Sequence, residues 1–343
     1  MRKLLNTLYI ISPDTYLRLD GENVVIQRDG NRDIHLPLHT LENIICFTYR
    51  GASPQLLGKC VEVGIDVSFF TPEGRFLARV SGLPNGNVLL RREQYRIADS
   101  YERKILYARQ FILGKVFNSR WILERLCRDH PEIDNISSVE EQSAYLKAVL
   151  PSIAEAENIN GLMGIEGDCA RHYFSVFGSL IRKSDNVFYF AGRNKRPPLD
   201  AVNALLSFAY SILAKDCTAA LASIGLDPYV GFLHSDRPGR VSLALDLEEE
   251  LRGPVADRFV ISGINLGIFT SKMFDFRENG AVFLNDDGRK LFLQKWQSHK
   301  KEQLRHPFLE ERIEWGLVPY VQALLLARTI RGDLDSYPPF LWK

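Results

Sequence analysis

Residues 231–253, GFLHSDRPGRVSLALDLEEELRG, place one histidine, His234, in a polar turn and four carboxylates, Asp246 and Glu248 to Glu250, on a leucine-rich run. Taken as a helix from Ser242, at about 100° per residue, Leu243, Leu247 and Leu251 share one face. Asp246, Glu249 and Glu250 then cluster within about 100° of arc beside them, while Glu248 points away. Like charges three and four residues apart repel, and a bound divalent cation would relieve that repulsion. A solvated acidic face is the plainer alternative. The alternation of Val241, Leu243, Leu245 and Leu247 also permits a strand.

A fifth carboxylate stands where a charge does not belong. In GLMGIEGDCARHYFSVFGSL, helical spacing gathers Leu162, Ile165, Cys169, Tyr173, Val176, Phe177 and Leu180 into one arc and puts Asp168 and Arg171 roughly opposite. Glu166 falls about 40° from Leu162, inside the apolar arc. A carboxylate there is unfavourable unless paired or bound to a cation. Three explanations stand: a buried ion pair, a helix made irregular by Gly164 and Gly167, or a metal or catalytic cleft. Glu166, His234 and the carboxylates of the second stretch would together form an oxygen-rich set with one imidazole. That set suits Mg²⁺ or Mn²⁺, the imidazole favouring Mn²⁺. No HExxH pattern or cysteine cluster offers a zinc site.

Two segments carry local positive charge in a chain whose formal net charge is only +1. The first holds Arg182, Lys183, Arg193, Lys195 and Arg196, interleaved with Phe188, Tyr189 and Phe190. The second holds Arg289, Lys290, Lys295, Lys300 and Lys301. Basic residues suit phosphate contacts and rings can stack on unpaired bases, although solvated helix faces and core aromatics give the same pattern.

These residues need a scaffold, and the periodicity changes once along the chain. Residues 1–90 show short alternating or apolar runs, with hairpin signals at Asp20-Gly21 and Asp29-Gly30. The segment TPEGRFLARVSG predicts a last hairpin. A single short helix is expected from Ser53, as N-cap, to Val63. From Ile97, steps of three and four through Tyr101, Ile105, Ala108, Ile112 and Val116 predict one long amphipathic helix. Further helices are expected over about 139–150, 155–182, 201–223, 242–263, 288–303 and 310–331, with an irregular tail after them. The fold class is α+β: a small N-terminal β domain, 1–95, followed by a larger all-α domain, 96–343, holding the catalytic residues. Five cysteines without a CxxC pair suggest buried thiols in a reducing compartment. The N-terminal apolar run reads as a first strand, and no stretch reads as a membrane span, so a cytoplasmic protein is expected.

Longer blocks are more specific. GIEGDCARHYF, NKRPPLDAVNALLSFAYSIL, GLDPYVGFLHSDRPGRVSLALDLEEELR and VADRFV resemble successive blocks of the CRISPR-associated integrase family that acts in spacer acquisition. The resemblance spans nearly the whole chain and has the look of type I systems, subtype C. It implies a metal-dependent DNA endonuclease and integrase. Glu166 matches the glutamate of the family's E-G-x-x-A-R block, His234 the histidine ending G-F-L-H, and Glu249 the acidic ligand of D-L-x-E-E. Asp246 is the neighbouring acid of that block, a helper to the catalytic set, and three consecutive glutamates leave Glu250 in competition with Glu249. The resemblance also implies a homodimer whose β domain makes the dimer contacts. Two such dimers flank a dimer of the small second-numbered CRISPR-associated protein in a heterohexamer. The partners would be spacer-precursor DNA, the repeat array and, in some subtypes, a trimming nuclease. The competing readings are a structure-selective nuclease of DNA repair and a non-catalytic DNA-binding scaffold.

Overall fold

The computed structural model describes residues 6–12, 14–71, 76–80, 82, 87–183 and 186–343. The chain folds as two compact units. The first comprises 1–84, 272–276 and 283–302, and the second 85–271, 277–282 and 303–343.

In the first unit, β1 (Asn6–Ile10), β5 (Leu41–Cys46), β6 (Asp66–Phe70) and β7 (Phe76–Val80) form one sheet in the order β1-β5-β6-β7; between β1 and β5 the chain runs through β2 (Tyr16–Asp20), β3 (Asn23–Gln27) and β4 (Ile34–Pro37). β1, β5 and β6 are parallel and β7 antiparallel. A parallel neighbour needs a crossover, and α1 (Pro54–Val63) supplies it between β5 and β6. Ser53 caps α1 by accepting from the Leu56 N–H at 3.2 Å, and Gly64 closes it in the left-handed conformation. β2, β3 and β4 form an antiparallel meander whose two turns fall at the expected Asp-Gly pairs. Leu17, Val24, Ile44, Leu56, Cys60 and Val67 fill one core. The turn of the expected last hairpin, 72–75, lies outside the described residues.

The second unit is built from α2 (Val88–Asp99), α3 (Tyr101–Asp129), α4 (Ile136–Glu155), α5 (Ile159–Ser175), α6 (Ala201–Ile224), α7 (Ser242–Leu251) and α8 (Arg258–Asn265). The helix Asp286–Lys300, α9, groups with the first unit, and α10 (Val318–Ile330) returns to the second. α3 packs along α4, α5 and α7. α6 is apolar all round and largely buried, as a central helix must be.

The structure differs from the sequence reading in five places. The long helix from Ile97 is two helices: Ser100 is extended, and its hydroxyl accepts from the Arg103 N–H to start α3. α9 packs against β1 and buries Phe292, Leu293 and Trp296, so the boundary at residue 95 does not separate the units and residues 286–300 leave the helical one. The C-terminal part is not wholly helical. Gln303–Arg305 and Arg312–Glu314 pair antiparallel, because this alternation buries Leu304 opposite Ile313. The helix expected from 155 to 182 ends at Ser175. Finally, α6 is long and apolar enough to cross a membrane by length and composition, a stretch the sequence reading did not count.

Candidate active site

α7 reaches the site already desolvated. Asp246, Glu248, Glu249 and Glu250 are all buried, so the acidic run is not a solvated face, and Glu248 does not escape to water. Each carboxylate has found different partners. Asp246 accepts the backbone N–H groups of Phe232 (2.6 Å), Leu233 (2.9 Å) and His234 (2.9 Å), and its Oδ1 lies 2.6 Å from His234 Nδ1. Three successive N–H groups converging on one anion form a nest. It can close only because Gly231 lacks a side chain: a Cβ there would come within 2.9 Å of both Asp246 Oδ2 and Ser242. With Nδ1 engaged, Nε2 is the ring nitrogen left to His234 for chemistry.

Glu249 is held at both oxygens. Arg252, three residues on, meets Oε1 at 2.7 Å, and Lys115 of α3 approaches Oε2 at 2.7 Å. The second contact is an ion pair without hydrogen-bond geometry, so Oε2 is a buried oxygen with no hydrogen bond. Burial alone would raise this carboxyl. The charges of Arg252 and Lys115 outweigh it and bring the pKa down to about 2, so Glu249 is ionised at any ordinary pH. Glu166, on α5, also pairs with the Lys115 ammonium. Burial works against that ammonium, but Glu249 and Glu166 together hold its pKa above the ordinary lysine value. Glu248 pairs with Arg252 (3.1 Å), with burial pushing its carboxyl up. Glu250 turns to the opposite side, towards Tyr337, Gln322 and the Phe340 N–H. Of the two neighbours, Glu249 shares the Lys115 ammonium with Glu166, whereas Glu250 bonds to α10 and the tail.

The chain leaves α7 through a π-type turn, Arg252–Asp257, a local distortion that is frequent at functional sites. The turn carries Arg252 to Glu249 and buries Asp257 under the hydroxyls of Tyr173 (3.1 Å) and Tyr210 (2.5 Å). A cleft beside Glu166 is lined by Lys115, Lys195, Tyr210, Arg252 and Asp257.

Two carboxylates and an imidazole are a fitting donor set for a hard divalent cation, and the Glu249 oxygen that makes no hydrogen bond is the kind of atom such an ion satisfies. The three expected ligands are nevertheless not gathered into one coordination shell. Among the described residues no three His, Cys, Asp or Glu side chains stand together as a metal site, and an ammonium lies between the two glutamates.

The basic segments divide. Lys195 and Arg196 are exposed near the cleft, whereas the Arg193 guanidinium is spent on Asn203 Oδ1 (2.6 Å), Ser207 Oγ (3.1 Å) and the Tyr210 ring. Arg182 lies 3.1 Å from His130 Nδ1, and Lys183 is half-buried. Lys290, Lys295 and Lys301 are exposed on the first unit; Arg289 is buried on Leu284 O and Asp286, and Lys300 is buried. Arg289 and Lys300 are thus buried in the scaffold, while Arg193, half-buried, also lines the cleft. Sequence reasoning missed Lys115, Arg252 and Asp257. The signal for Lys115 was present: at about 60° from Ile112 it lies in the arc of Ala108 and Ile122, as Glu166 lies in its own.

The family described as "CRISPR associated protein Cas1" matches residues 8–298 of this chain. An endonuclease of that name from Chlorobaculum tepidum is 47% identical over 343 residues, covering 100% of both chains. A second, from Rhodospirillum rubrum, is 48% identical over 348 residues, again with 100% of both chains covered. Among solved structures, a casposase bound to an integration product superposes with a TM-score of 0.85 at 22% identity, covering 99% of this chain and 95% of that one, a likeness of fold.

Proposed function

Because the chain belongs to the Cas1 family of CRISPR-associated proteins, we propose that it is a metal-dependent DNA endonuclease and integrase of spacer acquisition. It would insert short DNA fragments into a repeat array by transesterification, in the cytoplasm. The observation that carries this reading is the convergence of Glu166 and Glu249, from separate helices, on a single cation.

Glu166, Glu249 and His234 Nε2 would hold the ion, Mg²⁺ or Mn²⁺. When bound, it would supply Lewis-acid polarisation of a phosphoryl oxygen and stabilise charge on the attacking or leaving oxygen. The remaining steps belong to the chain itself. Asp246 fixes the tautomer and orientation of His234 through Nδ1. Arg252 holds Glu249 in place and ionised. Lys195 and Arg196 meet the phosphates of DNA entering the cleft. Attack of the fragment's 3′-hydroxyl oxygen on the scissile phosphorus would form the new P–O bond as the P–O3′ bond of the repeat strand breaks. The attacking hydroxyl loses its proton and the departing 3′ oxygen leaves as a free hydroxyl, which is strand transfer. Water as the attacker would give hydrolysis to a 5′-phosphate and a 3′-hydroxyl.

The proposed partners are a second copy of the chain, the small second-numbered CRISPR-associated protein in a heterohexamer, and a trimming nuclease in subtypes that use one. The type I, subtype C assignment rests on the sequence blocks alone. Glu166→Ala and His234→Ala should each lower strand transfer into supercoiled repeat DNA by ~10²-fold or more, with the small partner protein and Mn²⁺ present and circular dichroism unchanged. Wild-type rates in either variant would remove that residue from the mechanism. Cleavage without joined products would favour a repair nuclease. The scaffold reading has one observation in its favour, since Lys115 and Arg252 already neutralise the two glutamates. Metal-dependent cleavage of any DNA would end it.

A further inference from the structure

Lys115 has no task in the reaction above, yet it occupies the centre of the site. Its side chain is 14% exposed, and its ammonium is shared between Glu166 of α5 and Glu249 of α7. Without it, two carboxylates would face each other in a poorly solvated space, a costly arrangement. The two cations on Glu249 differ in freedom. Arg252 is pinned: its guanidinium also engages Glu248, at 3.1 and 3.4 Å, and lies over the Tyr210 ring. Lys115 is attached only through its ammonium, on a four-carbon stem, and it lines the cleft beside Glu166. Its contact with Glu249 Oε2 is an ion pair at 2.7 Å.

We propose that Lys115 is a place-holding cation: it occupies the position between Glu166 and Glu249 that a divalent ion takes, keeps these carboxylates together in the metal-free protein, and swings into the cleft when the ion binds. The inference rests on Glu166 and Glu249 being metal ligands. It adds that the protein carries an internal competitor for that metal, which sets the affinity and makes Lys115 a positioning residue.

The test is calorimetric titration of Mn²⁺ into the full-length wild type, Lys115→Met and Lys115→Arg, with thermal melts of each in EDTA and in Mn²⁺. Lys115→Met should melt below wild type in EDTA yet bind Mn²⁺ ~10-fold more tightly, within the range usual for coupled sites, and gain more melting temperature from Mn²⁺ than wild type does. Lys115→Arg, which keeps the charge, should bind no more tightly than wild type. A purely structural lysine would give a variant that is less stable and binds metal no better, so unchanged or weaker Mn²⁺ affinity in Lys115→Met overturns the proposal. If that variant does not fold, Lys115→Gln takes its place with the same two expectations. A wild type that binds Mn²⁺ no better than Glu166→Ala sinks the metal reading itself. Specific wild-type binding without tightening on removal of the Lys115 charge sinks the place-holder alone.

Discussion

Glu250 stands one residue from Glu249, but its carboxylate accepts from the Tyr337 hydroxyl, from Gln322 Nε2 at 3.0 Å and from the Phe340 N–H at 2.7 Å. Burial nevertheless pushes its pKa from 4.5 to about 7, against those three donors. Asp257 behaves alike, pushed by burial from 3.8 to about 6 against the Tyr210 and Tyr173 hydroxyls. Both groups bind a proton more tightly folded than unfolded, so they lower stability as pH rises through that window. Glu249 has the opposite sign: its depressed pKa gives stability that is lost only as pH falls from about 4.5 towards about 2. The expected outcome is that the melting temperature of Glu250→Gln falls less than that of the wild type as pH rises from about 4.5 to 7. Equal slopes in the two melting series would contradict it. At this scale the sequence is informative where angle can be compared with chemistry. Glu166 stands out because a carboxylate sits in an apolar arc. The roles of Glu248, Glu249 and Glu250 are not separable from sequence, because their partners Arg252, Lys115 and Tyr337 come partly from distant helices and the tail.

α7 is positioned by a close approach to α3. At Gly114 an added Cβ would lie 2.7 Å from Glu250 Cβ and 3.3 Å from Pro339 Cβ, so only glycine lets the helices and tail meet. Asn118, one turn on, donates to Glu250 O (2.8 Å) and Phe340 O (2.6 Å) and accepts from the Trp342 N–H (2.9 Å). The tail expected to be irregular is irregular, and it is hydrogen-bonded into the core through Phe340 and Trp342. Gly114→Ala should destabilise the fold by about 1–3 kcal/mol through overpacking, read as a lower urea midpoint, and should slow strand transfer by displacing Glu249. An unchanged midpoint would show that the helices can part without cost. The helices with strong 3.6-residue patterns are legible in the sequence, as is α1 with its Ser-Pro start. The break at Ser100 and the strand pair before α10 are not, since each is decided by one cap or one buried pair against an otherwise helical periodicity.

Across the whole molecule, a net charge of +1 gives no general attraction to DNA, so binding must rest on local patches. The exposed members of the basic segments lie on both units: Arg182, Lys195 and Arg196 on the second, Lys290, Lys295 and Lys301 on the first. Replacing Lys195 and Arg196 by alanine should weaken DNA binding and reduce the slope of log K against log salt by ~0.9 for each phosphate left without its cation. An unchanged slope would exclude them. Arg193→Ala should instead lower thermal stability, because its guanidinium bonds the start of α6. The α+β class is legible in the change from short alternating runs to long helical ones. The division into units is not, because α9 joins the strands through a tertiary contact that no local pattern announces.

The nest around Asp246 bears on stoichiometry. Its two oxygens offer about four lone-pair directions, and three backbone donors and one imidazole take all of them. Asp246 therefore has no open lone pair to offer an ion, and any second cation at the proposed centre would have to find its oxygens elsewhere. Phosphates of an entering nucleic acid are one such source.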